Sequence, residues 1–491
     1  VDCHEIQHAP GLERRPAPQR PWRHLAFILG EAGLSLMSGG VLFVVISRLS
    51  GPVLLGVYAL AFAWLLLFQG IGSFGIPEFI LREVGAQGSD AAAEVTRAIL
   101  LGVGCAALST CLMLTVPRAF GYSADLIEAI TVASLAVIPA FISSACRAVF
   151  LAMRRMHLTF LALLVEVAIT MSASLYLVRT GHGAVALMGA LVVARIASAS
   201  IVLAALHRRV LPLRAELDAA ALRRTAGAVG IFGAGFMLGV LTMRLNTIMA
   251  SFWVDLVGVG HYAAATKVME LCLILPNLIS QLLMTRMAHG FRGQASRDPN
   301  RFGAWFRLLF ALVAPTCVGV WVFADTILAL LFGPGFASAA WVLRILMCYV
   351  AIEAADAKMS VILKVAHRQR ADLVRLAFNP LVNIGLNLLL LPGLGIVGAA
   401  IGRVGGVAVS ATLRYRLIAR ELTRVHWFRF AMKPVAISLG VGAICEGLSG
   451  LCRPVWLMLA YVVATAVLLR LAAGFTPAAV AALLRLPSPQ E

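Results

Sequence analysis

Runs of about twenty apolar residues follow one another along almost the whole chain, and they leave few architectures open. The hydrocarbon core of a bilayer is about 30 Å thick, and a helix of about twenty residues crosses it. At that depth every backbone polar group must be satisfied internally, which a helix achieves by itself. Spans are expected at roughly 24–46, 53–74, 94–116, 125–146, 158–178, 184–206 and 225–252. They continue at roughly 262–286, 304–331, 338–364, 371–391, 395–417, 432–449 and 454–474, about fourteen in 491 residues. The expected fold class is an all-α integral membrane protein. With 61% hydrophobic and 13% charged residues, a soluble globular reading fails, since ordinary domains carry about a quarter charged residues.

A net charge of +18 would fit a nucleic-acid binder, but the placement of the arginines points elsewhere. Arg14, Arg15, Arg20 and Arg23 precede the first span, and Arg154 and Arg155 follow the fourth. Arg208, Arg209, Arg214, Arg223 and Arg224 fill the loop after the sixth. Arg286, Arg292, Arg297 and Arg301 follow the eighth, Lys364, Arg368 and Arg370 the tenth, and Arg414, Arg416, Arg420, Arg424 and Arg429 the twelfth. The alternate loops hold isolated cases, Arg48, Arg118, Arg179 and Arg453. This is the positive-inside asymmetry, and it puts both termini in the cytoplasm. No nucleic-acid partner is expected. The external loops are short, the first being Ser50-Gly51-Pro52. The apolar run after His24 is too long for a signal-peptide core and has no small-residue cleavage site.

Nine cysteines show no CxxC spacing, and most sit in apolar runs, where a thiol behaves as a small hydrophobe. Cys445 and Cys452 are the one pair near an external loop. No metal site is indicated. Gly393-Leu394-Gly395-Ile396-Val397-Gly398 matches GxGxxG, but Pro392 precedes it and no acidic residue follows about twenty positions later. There is no Walker motif, so ATP hydrolysis is not expected, and no cofactor is implied.

The chain also repeats itself. Leu55-Gly56-Val57-Tyr58-Ala59 opens the second span and Val259-Gly260-His261-Tyr262-Ala263 the eighth, with Arg82 and Arg286 at the same offset. Glu166, Thr170 and Ser174 align with Asn379, Asn383 and Asn387, and the turns Gly183-Ala184-Val185 and Gly395-Ile396-Val397 agree. Two pseudo-symmetric six-helix lobes are therefore expected, 23–206 and 225–420, joined by a cytoplasmic linker at 207–224. Two further helices lie in 421–475, with cytoplasmic tails at 1–22 and 476–491. Residues 1–22 read as disordered, and Leu213–Arg224 as a short amphipathic surface helix. Repeated bundles place substrate near mid-membrane between the copies.

Polar residues inside the spans are the candidates for function, because they are costly there. Asn379, Asn383 and Asn387 lie four residues apart and form one stripe on a helix. The stripe fits either interhelical hydrogen bonding or sugar contact. Arg403, about 12 Å from the outer end of its helix, lies beside the close-approach glycines Gly398 and Gly402. Arg244 is similarly deep, and both either snorkel outward or, the reading preferred, face a cavity. Lys267 and Glu270, three apart, either neutralise each other or meet substrate. Glu353 and Asp356 share a face and suit a proton site or a structural pair, and Glu31 is a further coupling carboxylate. Lys358 faces away from that pair and is expected to snorkel at the cytoplasmic end.

These residues carry a family resemblance. Ile46-Ser47-Arg48-Leu49-Ser50-Gly51-Pro52 leading to Leu55-Gly56-Val57-Tyr58-Ala59, then Gly72-Ser73-Phe74-Gly75 and Arg82-Glu83-Val84, resembles the amino-terminal signature of polysaccharide-transport flippases. That family belongs to the multidrug, oligosaccharidyl-lipid and polysaccharide exporter superfamily. Arg244-Leu245-Asn246, Gly260-His261-Tyr262 through Lys267 and Glu270, and the Asn379–Gly398 stretch extend the likeness. The resemblance implies a fourteen-helix transporter of the bacterial inner membrane moving undecaprenyl-diphosphate-linked oligosaccharide outward for O-antigen, capsule or exopolysaccharide assembly. Its partners would be that lipid-linked glycan, membrane lipid and a glycan polymerase or ligase, with the chain itself acting as a monomer. One departure is Asn246, where the resemblance implies an acid in the seventh span. Rival readings are a multidrug or peptidoglycan-precursor exporter of the same superfamily, and a multispan glycan polymerase or transferase. Arginines deep in the spans disfavour cationic drugs, and the short external loops disfavour an enzyme.

Overall fold

The protein is described by a computed structural model over residues 21–87, 92–210, 219–274, 276–277, 279–280, 299–366, 368–421, 427–448 and 454–473. Among these residues there are sixteen α-helices and no strand. The basic tail before residue 21, residues 211–218 of the loop expected as a surface helix, Cys452 and the tail at 476–491 lie outside the described residues, while residues 219–224 open the helix Ala219–Ala250.

The first helix, α1 (Pro21–Ser73), carries two expected spans in one unbroken assignment. A straight helix of 53 residues would be about 80 Å long. Instead the chain folds back at Gly51, whose φ of 78° and ψ of −173° lie where a side chain is not tolerated. The rings of Phe43 and Tyr58 come within 5.8 Å, although on a straight helix they would stand about 22 Å apart. The external loop expected at Ser50-Gly51-Pro52 is thus a turn at a single residue. The lobe continues through α2 (Ile76–Gln87), α3 (Ala92–Thr115), α4 (Ala124–Ser134), α5 (Val137–Ala152), α6 (His157–Arg179) and α7 (Ala184–Arg209). The fourth expected span is interrupted between α4 and α5 at Leu135–Ala136.

The second lobe comprises α8 (Ala219–Ala250), α9 (Leu256–Cys272), α10 (Pro299–Val322), α11 (Ala324–Phe332), α12 (Ala340–Val365), α13 (Gln369–Leu394) and α14 (Ile396–Glu421). Its ninth span is bent by 77° between α10 and α11. The last helices, α15 (Trp427–Gly447) and α16 (Pro454–Ala473), pack on α10 rather than on the first lobe. There Tyr461 donates to the carbonyl of Pro315 at 3.0 Å. By length and composition nine helices among the described residues can cross a bilayer, or ten if the bent pair counts as one span. One of the nine, within α1, holds the two passes folded at Gly51. The chain is a multi-pass, all-α membrane protein. Its outward faces are apolar, as on α13, where Leu381, Leu388 and Leu389 are exposed.

The lobes meet chiefly along α1 against α8 and α9. Their backbones pack tightly where Gly56 meets Gly260, the equivalent glycines of the internal repeat. A Cβ on Gly56 would lie 1.9 Å from the carbonyl oxygen of Leu256, and one on Gly260 would lie 2.2 Å from that of Pro52.

Candidate functional site

A cavity of about 710 Å³ opens between the lobes. The second arm of α1 contributes Gln69 and Ser73, α2 contributes Glu78, α5 contributes Ser144 and Arg147, and α8 contributes Met243 and Arg244. Apolar side chains such as Leu66, Leu81, Leu151 and Val240 fill the rest of the wall.

Two guanidiniums from opposite lobes therefore share one cavity, and each is held from behind by a carboxylate. Arg147 Nε is 2.9 Å from Glu31, with 49% of the arginine side chain exposed and 9% of the glutamate. Thr159 donates to the same carboxylate at 3.4 Å. Arg244 donates to Glu270 at 3.1 Å and keeps 31% of its side chain exposed. Lys267 donates to the other oxygen of Glu270 at 2.8 Å and lies over the Phe43 ring at 4.6 Å. A bidentate partner would use up a guanidinium's fork of donors; a carboxylate behind each arginine leaves the cavity edge free. A third arginine acts through an amide. Arg195 pairs with Glu166 at 2.9 Å and donates to Gln69 at 3.2 Å, fixing the amide that lines the cavity.

The remaining expected site residues lie in the interior of the second lobe. Arg403 is only 2% exposed and lies over the Tyr349 ring at 4.7 Å. Its Nη2 contacts the sulfur of Met243, a cavity-wall residue, at 3.7 Å, so Arg403 itself stands behind the wall. The asparagine stripe is buried against glycines of α14. A Cβ on Gly402 would meet Asn387 Oδ1 at 2.3 Å, and one on Gly406 would meet Asn379 Oδ1 at 2.6 Å. Asn387 donates to Asn246 at 2.5 Å and to Asn383 at 3.2 Å. In the first lobe the aligned Thr170 and Ser174 are likewise buried.

Asp356 belongs to a buried cluster that also contains Arg414 and Asp372. Arg414 donates to Asp356 and, at 2.7 Å, to Asp372, while Ser410 donates to Asp356 at 3.0 Å and Ser360 to Asp372 at 2.8 Å. Glu353 lies one turn away, partly buried. Lys358, expected to snorkel, is fully enclosed instead, donating to the carbonyl of Pro276 at 2.8 Å and to Ser280. The lysine is thus held by two partners on the segment that follows α9. Among the described residues no group of three His, Cys, Asp or Glu is placed to hold a metal ion.

The family described as polysaccharide biosynthesis protein matches residues 45–340, which include the hairpin turn, both cavity arginines and the glycines of the Gly56–Gly260 contact. The chain belongs to that family. No curated relative matches it in sequence. Among solved structures, it is similar to one titled lipid II flippase MurJ in an inward closed conformation. That match has a TM-score of 0.76 at 11% identity, over 91% of this chain and 100% of the other. An inward-facing multidrug resistance MATE family transporter of the MOP superfamily matches at TM-score 0.60 and 15% identity, over 83% and 95%. A MOP superfamily transporter from Pyrococcus furiosus, described as having a binding pocket of reverse polarity, matches at a TM-score of 0.60 and 13% identity, over 80% of this chain and 93% of the other. The family member thus has the MOP-superfamily fold.

Proposed function

We propose that this polysaccharide biosynthesis family member is a flippase for an anionic lipid-linked glycan, a polyprenyl-diphosphate oligosaccharide, in the bacterial inner membrane. The observation that carries the reading is the pair of half-exposed arginines, Arg147 and Arg244, presented to one cavity from opposite lobes. A diphosphate offers oxygens to both, and the guanidinium fork suits it better than an ammonium would. Gln69, Ser73 and Ser144 supply the neutral donors and acceptors that a sugar needs. The polyprenyl tail stays in lipid, because moving it into an apolar protein groove gains little over the bilayer. Arg403 supports the wall from behind through Met243, and the asparagine stripe holds α13 against α14 and α8. Glu353 and Asp356 are the coupling carboxylates in this reading.

The same fold is found in multidrug transporters, but two cavity arginines repel a cationic drug. A peptidoglycan precursor is also a lipid-linked diphosphate, so the test separates the two cargoes. In deletion cells complemented with the chain, Arg147→Ala and Arg244→Ala are each expected to lose charge-assisted bonds worth about 1.5–3 kcal/mol. That is about ten- to a hundredfold in affinity. Surface glycan falls and its lipid-linked precursor accumulates, at equal protein level, with no build-up of peptidoglycan precursor. Normal surface glycan in the Arg147→Ala/Arg244→Ala pair refutes the reading, and accumulation of peptidoglycan precursor alone replaces it with the other cargo.

A further inference from the structure

The cavity lies to one side of the Gly56–Gly260 contact, and we infer that these two glycines are the outer gate, closed by direct backbone contact and opened only by separating the lobes. The inference rests on the transporter reading with both termini inside, which makes the Gly51 end the outer one.

The contact is reciprocal in detail. A Cβ on Gly56 would meet the carbonyl of Leu256 and, at 3.2 Å, the amide nitrogen of Gly260. A Cβ on Gly260 would meet the carbonyl of Pro52 and, at 3.2 Å, the amide nitrogen of Gly56. Each glycine therefore faces its counterpart and the carbonyl one helical turn before it, as a two-fold axis between the repeats requires. The atoms met are backbone, so no rotamer change can relieve a larger side chain. On the same helix the first cavity residue, Leu66, lies about 15 Å further along. Trp64, within that stretch, anchors an aromatic cluster that joins the lobes: it lies 6.0 Å from Phe120 and 6.5 Å from Tyr122, and Phe120 lies 4.8 Å from Phe252 of the other lobe. Tyr122 and Ser251 hydrogen-bond across the lobes at 2.7 Å. Arg48 straps the α1 turn to the second lobe, donating to the carbonyls of Leu331, at 2.9 Å, and Leu330.

Towards the opposite end the lobes touch through side chains. Gly70 faces Val240, Gly233 faces Phe74, and Thr225 donates to Glu94 at 2.5 Å. Such contacts release by rotation and hydration, whereas the glycine contact is broken only by moving one helix away from the other. The two ends therefore open by different means.

The test uses the full chain with its native cysteines replaced and Ser144→Cys as a reporter on the cavity wall. An impermeant maleimide is applied outside intact cells. Gly56→Ala and Gly260→Ala are each expected to raise labelling several-fold over the parent at equal protein level. Gly104→Ala, at a position open to space, leaves labelling unchanged. If the glycine variants fail to insert, Tyr122→Cys/Ser251→Cys joined by a short bifunctional thiol reagent decides. The joined pair is expected to abolish glycan export in cells while the unjoined pair exports. Unchanged labelling in well-inserted glycine variants, or undiminished export with the pair fully joined, overturns the gate. The labelling needs no substrate, so failure of the glycan reading would leave its outcome standing.

Discussion

Replacing Arg414 with methionine is expected to be among the most destabilising single changes in the second lobe. Its side chain is 4% exposed and serves two carboxylates, Asp356 and Asp372, that are 3% and 5% exposed. With all three ionised, the cluster carries one positive and two negative charges. Removing the arginine leaves two buried acids close together, with Ser410 and Ser360 the side chains that donate to them among the described residues. Breaking a buried pair by deleting one partner costs about 3–5 kcal/mol, and two orphaned carboxylates put Arg414→Met at the upper end. Asp356→Asn does the opposite to the balance, leaving Arg414 with Asp372 as a one-to-one pair. It is expected to cost about 1 kcal/mol, the worth of a neutral hydrogen bond. The triple change Arg414→Met/Asp356→Asn/Asp372→Asn removes every charge and is expected to recover most of the loss, a strongly non-additive result. Equilibrium unfolding of the purified protein in mixed detergent micelles, titrated with a denaturing detergent, measures all three. The reasoning fails if Arg414→Met costs less than about 1 kcal/mol, or if the triple variant is less stable than Arg414→Met.

Two further predictions follow from the topology and the coupling acids. Single cysteines at Ser50, exposed beside the turn, and Gly335 are expected to react with an impermeant reagent outside intact cells, and those at Ser296 and Thr423 are not; the reverse pattern inverts the topology. Replacing Glu353 with Gln together with Asp356 with Asn is expected to flatten the dependence of export on the proton gradient, and unchanged ionophore sensitivity would leave the pair a structural role only.

The spans were legible because length and apolarity at 1.5 Å per residue admit few alternatives. The two-lobe division was legible because the repeat preserves the Gly56 and Gly260 neighbourhoods. Depth along a helix was readable, but direction around it was not. Asn379, Asn383 and Asn387 show the difference: their spacing gives one stripe, while only packing shows that it meets Gly402, Gly406 and Asn246 inside the lobe. Arg147 was missed because it sits at the end of an apolar run, where an arginine reads as a loop residue. Helix α5 in fact continues to Ala152, and Glu31 arrives from a distant part of the chain. Arg414 was hidden in the same way among the basic residues that follow the twelfth span. Its partners Asp356 and Asp372 come from two other helices. Lys358 shows the limit from the other side. An apolar stem near a helix end suggests a head that reaches water, and only packing shows that the Pro276 carbonyl and the Ser280 hydroxyl, distant in the sequence, hold it inside.

The meeting of Gly56 with Gly260 is a residue touching its own counterpart, the arrangement found at a homodimer's symmetry axis. In a dimer of identical six-helix units, one codon would set both sides of such a contact, and every substitution would be felt twice. Joining the units into one chain releases that constraint. The two sides are then free to drift apart everywhere except where closure still demands symmetry. The stripes already differ in kind, Glu166 with an arginine in one half and Asn379, Asn383 and Asn387 with amides in the other. A symmetric contact thus joins two chemically distinct halves, each free to acquire its own buried polar set.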